Sequence, residues 1–249
     1  MRKADDSAVL AAGQSEAADA GVKAMIPIKR PFLDYVLSAL ADAGFTRVCL
    51  VIGPEHDTVR DYYATLTTRR VKIDTAIQHR PLGTADAVLA AEKFAGGDPF
   101  AVLNSDNYYS VPALRALRAA TPPAMIAFSR PALLASGNVP TERVGRFGAL
   151  DIDDRGFLKK IVRDNVDDDN GVYASMNCWL FTEDIFEACR RVPVSPRGEL
   201  ELPRAVDLAI REMGMKIRAV KVDEPVLDMS SRGDIASVAA RLDSVEVDV

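Results

Sequence analysis

Asn104-Ser105-Asp106-Asn107 closes a short apolar run, Phe100 to Leu103, that itself follows Gly96-Gly97-Asp98-Pro99. Open α/β sheets bind ligands in the crevice at the carboxyl ends of their strands. A carboxylate there, among small polar residues, can hold a metal ion or a phosphate-bearing ligand. The commonplace alternative is that Asp106 closes a turn or caps a helix beginning near Val111. A second aspartate, Asp228, follows the apolar pair Val226-Leu227 in Leu227-Asp-Met-Ser-Ser-Arg-Gly-Asp234. If both strand ends open into one crevice, Asp106 and Asp228 form a metal pair rather than a general acid–base pair. Mg²⁺ takes one or two protein carboxylates and leaves its remaining positions to water and substrate phosphates. Capping of the last helix is the local alternative for Asp228.

Two further segments have the chemistry of phosphate and base recognition. Ala11-Ala12-Gly13 ends an apolar run in a glycine, whose missing side chain lets backbone amides approach phosphate oxygens. Lys23 and Lys29 follow and bring positive charge, although a lysine is most often a solvated surface residue. Gln78-His-Arg-Pro-Leu-Gly-Thr-Ala-Asp86 reads as a strand end, a turn and a helix start. Gln78 has the donor and the acceptor that a nucleobase edge requires. Gly83 permits flat contact with a ring, and Thr84 suits either ligand contact or the cap of its own helix.

The elements that must position these residues alternate. Ala8–Gly13, Arg47–Gly53, Lys72–Gln78, Phe100–Leu103 and Ala124–Ser129 read as strands, the fourth buried on both faces of a parallel sheet. Between them Pro31–Gly44, Glu55–Ala64, Thr84–Phe94 and Val111–Ala120 read as helices. Alternation of this kind predicts an α/β fold: a mixed, mostly parallel sheet with helices on both faces. The second half changes character. It offers a hairpin around Asp153-Asp154-Arg155, an acidic loop over Asn165–Gly171 and a strand over Tyr173–Phe181. Helices over Glu183–Arg191, Leu202–Met213 and Gly233–Leu242 and a strand over Lys216–Val222 follow, an α+β elaboration within one domain. The expected division is a nucleotide-binding part over about residues 7–130 and a second part over about 131–249.

The chain has 249 residues, 48% apolar and 27% charged, with a net charge of -5. That balance argues against a nucleic-acid protein. Its apolar runs are too short for a bilayer, and its N-terminus lacks a signal-peptide core. Cys49, Cys178 and Cys189 have no metal-type spacing and suit a reducing cytoplasm. With only His56 and His79, a catalytic histidine network is not expected.

From Ala8 to about Leu242 the chain resembles the sugar-1-phosphate nucleotidylyltransferases, with a Rossmann-like fold. The pieces occur in family order: Ala8-Val-Leu-Ala-Ala-Gly, Lys23-Ala-Met-Ile-Pro-Ile, Arg30-Pro-Phe-Leu-Asp-Tyr-Val-Leu, Gln78 with Pro81-Leu-Gly-Thr-Ala-Asp-Ala-Val, and Leu103-Asn-Ser-Asp-Asn. Phe147-Gly148, Arg197-Gly-Glu-Leu-Glu-Leu-Pro and Leu227-Asp-Met complete them. The resemblance implies that a sugar-1-phosphate oxygen attacks the α-phosphate of a nucleoside triphosphate, UTP or dTTP, and releases pyrophosphate. It implies Mg²⁺ on Asp106 and Asp228, with Lys23 neutralising phosphate charge. Ala11, Ala12 and Gly13 would cradle the triphosphate, and Gln78, Gly83 and Thr84 would face the base. Gly148, Asn177, Glu199 and Glu201 would line the sugar side. Together with composition, the expectation is a cytoplasmic enzyme that can form a homo-oligomer, with no nucleic-acid or membrane partner; without a hexapeptide-type β-helix segment, no fused acyltransferase is expected. A nucleotide-sugar-binding or regulatory protein without turnover is the alternative, and a transferase acting on another phosphorylated alcohol is a third.

Two departures accompany the resemblance. The family continues Ala-Ala-Gly with a short glycine-containing turn and an arginine. Here Gly13 is followed by Gln14-Ser-Glu16-Ala-Ala-Asp19-Ala-Gly21, acidic and without arginine. The expectation is a further loop between Gly13 and Gln14, outside the chain as written. In place of the family's Glu-Lys-Pro stands Val162-Arg163-Asp164-Asn165, which leaves the sugar-phosphate contact open between Arg163 and no residue.

Overall fold

The computed structural model describes residues 23–162 and 172–249. The strand expected at Ala8–Gly13, Arg163 and Asp164, and the acidic loop at Asn165–Gly171 lie outside the described residues. Gln14 follows Gly13 directly in the sequence, so the loop expected between them is not part of this chain.

Ten strands are described: β1 (Arg47–Ile52), β2 (Lys72–Ile77), β3 (Phe100–Val102), β4 (Asn107–Tyr109), β5 (Ala124–Ser129), β6 (Ala149–Ile152), β7 (Leu158–Val162), β8 (Tyr173–Phe181), β9 (Arg218–Val222) and β10 (Val226–Asp228). The largest sheet runs β7-β6-β8-β5-β9, with β3 also paired to β8. β1 and β2 form a parallel pair, and β4 and β10 an antiparallel one. The sheet is mixed, as expected, but not mostly parallel among the described residues. Only β1–β2 and β5–β9 run parallel, and the other pairings are antiparallel.

The alternation of β-strand side chains explains the layers. Along β5, Ala124, Ile126 and Phe128 face one core, and Met125 and Ala127 face a second. β8 divides in the same way, with Cys178 and Leu180 on the first side and Trp179 and Phe181 on the other. Helices Phe32–Asp42, Val111–Ala119 and Asp234–Leu242 cover the first face, and Thr84–Ala90, Asp184–Arg191 and Leu202–Met213 the second. β5 is therefore buried along its whole length.

Several expectations change in detail. The helix predicted over Thr84–Phe94 breaks at Ala91 into Thr84–Ala90 and Glu92–Ala95. Pro31 stands just before the helix it was expected to open. β3 is half-buried and antiparallel to β8, not a two-face-buried parallel strand, because an apolar run encodes burial but no direction. Ser110, not Asp106, caps the helix at Val111, its hydroxyl accepting from Ala113 N at 3.3 Å. Helices Arg130–Ser136 and Thr141–Val144 were not foreseen.

Asp34 joins two helices, Phe32–Asp42 and Asp57–Thr65. Its fully buried carboxylate accepts from the hydroxyls of Tyr62 and Tyr63, both at 2.8 Å, and pairs with Arg30 Nε at 3.2 Å. Burial, and after it the Asp34 charge, pushes the Tyr63 phenol far above its ordinary range, so it remains a donor. Asp34→Ala strands these donors and is expected to cost about 2–4 kcal/mol in urea denaturation; a loss under about 0.5 kcal/mol would show the cluster to be solvated in solution.

Candidate active site

The chain reaches the site first at Lys23, which opens a 3-10 turn, Lys23–Met25. Ala24 within the turn and Ile26 just after it are buried and anchor it. Lys23 Nζ lies 3.2 Å from Asp106 Oδ2, with both side chains about one-quarter exposed. Asp106 sits immediately before β4, and β10 runs beside β4 with Asp228 opposite Asn107. Met229 N donates to the Asp106 carbonyl at 2.9 Å, which locks the two segments together. Asp106 and Asp228 thus stand on adjacent, hydrogen-bonded segments.

Asp228 is the buried member, its side chain 4% exposed. Removing a carboxylate from water is costly unless charge and hydrogen bonds compensate. Ser230 Oγ donates to Oδ1 at 2.6 Å, and Arg143 Nη1 to Oδ2 at 3.0 Å. Asn138 grips the backbone of the same residue. Its Nδ2 donates to Asp228 O and its Oδ1 accepts from Asp228 N, both at 2.8 Å. Burial still raises the Asp228 carboxyl above its usual range; Ser230 and Arg143 oppose that shift, and the neighbouring Asp106 charge adds to it.

Arg143 is itself held by Asp234, with Nη1 to Oδ2 and Nη2 to Oδ1 both at 2.9 Å. The hydrogen bonds to Asp234, ahead of those to Asp228, raise the guanidinium's pKa, so it remains a cation. Asp234 also accepts from Ser231 N at 2.7 Å and so orders the turn before the last helix. That turn is closed by Asp234 and not by Asp228. Arg143, Asn138, Ser230 and Asp234 were not singled out in the sequence. Arg143 lies in a four-residue helix, 85 residues from Asp228, where no local pattern marks it.

Of the sugar-side residues, Asn177 lies on β8 and Gly148 immediately before β6, the strand paired with it. Ser175 N donates to Gly148 O at 2.9 Å. Asn177 has φ of 54°, the only non-glycine positive φ among the described residues. It lies where β8 accommodates extra residues against β5 between Met125 and Ala127. Asparagine tolerates this left-handed backbone better than most residues, and a bulge re-aims the side chains around it. Tyr109 of β4 links this bulge to the carboxylates, its hydroxyl donating to Met176 O at 2.6 Å.

Gln78, Gly83, Thr84, Glu199 and Glu201 form a second group. Leu200 N donates to Leu82 O at 2.7 Å, and Ala85 N to Leu200 O at 2.8 Å. Gly83 has φ of 122°, and a Cβ there would lie 2.5 Å from Leu200 O, so only glycine allows the two loops to meet. Thr84 does not cap its own helix. Its hydroxyl accepts from Leu202 N at 2.8 Å and so caps the helix at Leu202 instead. Gln78 uses its amide donor internally, on Gly83 O at 3.0 Å and Asp86 Oδ2 at 2.8 Å. What remains for a base is its acceptor oxygen. Glu199 is exposed and Glu201 buried. Ala11, Ala12 and Gly13 fall outside the described residues.

The family model "Nucleotidyl transferase" matches residues 19–225, which take in every described residue of the site except Asp228 and its neighbours. The chain belongs to this nucleotidyl transferase family. A glucose-1-phosphate thymidylyltransferase of Streptomyces griseus is 28% identical over 220 residues, 87% of this chain and 59% of that protein. The UTP–glucose-1-phosphate uridylyltransferase AglF of Haloferax volcanii is 26% identical over 227 residues, 88% of this chain and 87% of that protein. A low-salt glycan biosynthesis nucleotidyltransferase, Agl11, of the same organism is 25% identical and is covered over 52% of its length. The chain thus spans between half and three-fifths of the thymidylyltransferase and of Agl11. Among solved structures, a UDP-glucose pyrophosphorylase complexed with UDP-glucose superposes with a TM-score of 0.73 at 18% identity, over 90% of this chain and 91% of that one. The fold of this family member is accordingly the Rossmann-like fold of the nucleotidyltransferases.

Arg143→Met leaves Asp228 and Asp234 buried without their shared cation. The variant is expected to lose about 3–5 kcal/mol in guanidinium denaturation. A loss below about 1 kcal/mol would mean that the two carboxylates do not depend on it.

Proposed function

We propose that the chain transfers a nucleotidyl group from a nucleoside triphosphate, UTP or dTTP, to a sugar-1-phosphate, giving a nucleotide-sugar and pyrophosphate. The observation that carries this is the meeting of Lys23, Asp106 and Asp228 on adjacent segments of a chain with family-wide similarity. A sugar-1-phosphate oxygen forms a bond to the α-phosphorus, and the bond from that phosphorus to the α–β bridging oxygen breaks. The bridging oxygen leaves with the pyrophosphate. A reaction of this type depends on positioning and charge stabilisation more than on a strong base. Lys23 meets the developing phosphate charge, and Asp106 keeps the lysine at the site.

The carboxylates also suit a magnesium ion. They are hard oxygen donors on neighbouring segments, close enough for the Asp106 charge to raise the Asp228 carboxyl. One or two carboxylates are what Mg²⁺ normally takes. Asp106 and Asp228 would hold the ion, which when bound withdraws negative charge from the phosphates. The sugar side is assigned to Gly148, Asn177, Glu199 and Glu201, and the base side to Gln78, Gly83 and Thr84. The cytoplasm is the proposed location, consistent with three free cysteines, two of them buried.

The second reading, binding without turnover, rests on one feature. Residues 14–22 contain no arginine to grip a triphosphate and include Glu16 and Asp19. A screen of pyrophosphate release, pairing glucose-1-phosphate and other sugar-1-phosphates with each nucleoside triphosphate in Mg²⁺, separates the two. Turnover with UTP or dTTP is expected, and chelation should stop it. Silence with every pair would favour the binding protein. Asp106→Asn is expected to reduce turnover by about a hundredfold or more. Its melt should remain near wild type, because the Lys23–Asp106 pair is partly exposed and worth about 1 kcal/mol or less. A large stability loss instead would make Asp106 a structural residue.

A further inference from the structure

Two buried carboxylates share Arg143, and they share it unequally. Its Nη1 donates to Asp228 Oδ2 at 3.0 Å and to Asp234 Oδ2 at 2.9 Å, and its Nη2 donates to Asp234 Oδ1 at 2.9 Å. Two of these three contacts therefore go to Asp234, in the forked geometry that a guanidinium and a carboxylate favour. Losing the third contact leaves that fork whole. The two carboxylate side chains are 4% and 7% exposed, whereas Arg143 is 26% exposed and has room to shift. Arg143 can thus release Asp228 and stay paired, but it cannot release Asp234 on the same terms.

Asp228 is also one of the two carboxylates assigned above to the metal ion. The other, Asp106, carries Lys23 at 3.2 Å, so three carboxylates (Asp106, Asp228 and Asp234) face two protein cations. An oxygen that accepts from a guanidinium offers a dication less negative charge, and two cations near one oxygen repel each other. Burial of Asp228 sharpens both effects, because water and salt screen poorly there. Its burial does not by itself call for a cation on both oxygens: Ser230, a neutral donor, serves Oδ1 at 2.6 Å. We propose that Arg143 competes with the metal ion for Asp228 and so sets how tightly the ion is held, with Asp234 as the anchor that takes up the released guanidinium. Arg143 is then a positioning residue, acting on the ion through Asp228. The inference rests on the assignment of Mg²⁺ to Asp106 and Asp228.

Mn²⁺ is the probe, a hard dication that takes the same oxygen ligands as Mg²⁺ and whose free form is read by electron paramagnetic resonance. It is titrated alone, at fixed ionic strength, into wild type, Arg143→Met, Asp234→Asn and Asp228→Asn, each checked for folding by circular dichroism. Arg143→Met is expected to bind Mn²⁺ about tenfold more tightly than wild type, although it is the less stable protein. Asp234→Asn is expected to bind about tenfold more weakly, because Arg143 then turns wholly to Asp228. Opposite directions are the signature, since damage to a merely structural network weakens binding in both. Unchanged or weaker binding in Arg143→Met overturns the inference, as does unchanged or tighter binding in Asp234→Asn. If Arg143→Met does not fold, Arg143→Gln, which keeps a donor without the charge, takes its place under the same expectation. Mn²⁺ that binds no form, or binds wild type and Asp228→Asn alike, overturns the metal assignment and this inference together. Binding that Asp228→Asn abolishes but that Arg143→Met and Asp234→Asn leave as in wild type overturns this inference only.

Discussion

A carboxylate removed from water must be compensated where it stands, and Asp228 imposes that requirement on the whole site. Its charge is matched by Arg143, whose guanidinium is in turn held by Asp234, and Ser230 and Asn138 complete the surroundings. These residues come from two separate stretches of chain, 138–143 and 228–234. The final turn, the short helix at Thr141–Val144 and β10 are thus fixed relative to one another by one charge. β10 then fixes β4, and with it Asp106 and Lys23. The geometry of the exposed half of the site is inherited from the buried half.

The sheet supplies the rigid frame for this arrangement. β5 and β8 present alternate side chains to two separate cores, so neither strand can slip by one residue without exchanging its faces. The irregularity in β8 at Asn177 lies within that frame and beside Tyr109, so a locally strained backbone is held by a well-packed surround. Family membership and the superposition with a UDP-glucose pyrophosphorylase agree with this frame.

Periodicity was sufficient to read the strand at Tyr173–Phe181 and the helix at Leu202–Met213 to their ends, because both bury one continuous apolar pattern. The direction of β3 was not legible, since Phe100-Ala-Val has the same burial whichever way its neighbour runs. β4 was not legible either. Asn107-Tyr-Tyr becomes a strand only by pairing with Val226–Asp228, far along the chain. Within the site, Lys23, Asp106 and Asp228 were readable from strand ends and resemblance. Arg143 was not, because the two acids that define it lie 85 and 91 residues away. Which helix Thr84 caps was not legible for a similar reason: its hydroxyl serves Leu202, not its own helix.

The meeting of Gly83 with Leu200 has a mechanical consequence. Two main-chain hydrogen bonds and the Thr84 hydroxyl rivet a loop assigned to the base to a loop assigned to the sugar. No side chain separates them, so there is no soft layer to absorb relative movement. Displacement of one loop is therefore transmitted to the other, and the pair moves as one rigid lever.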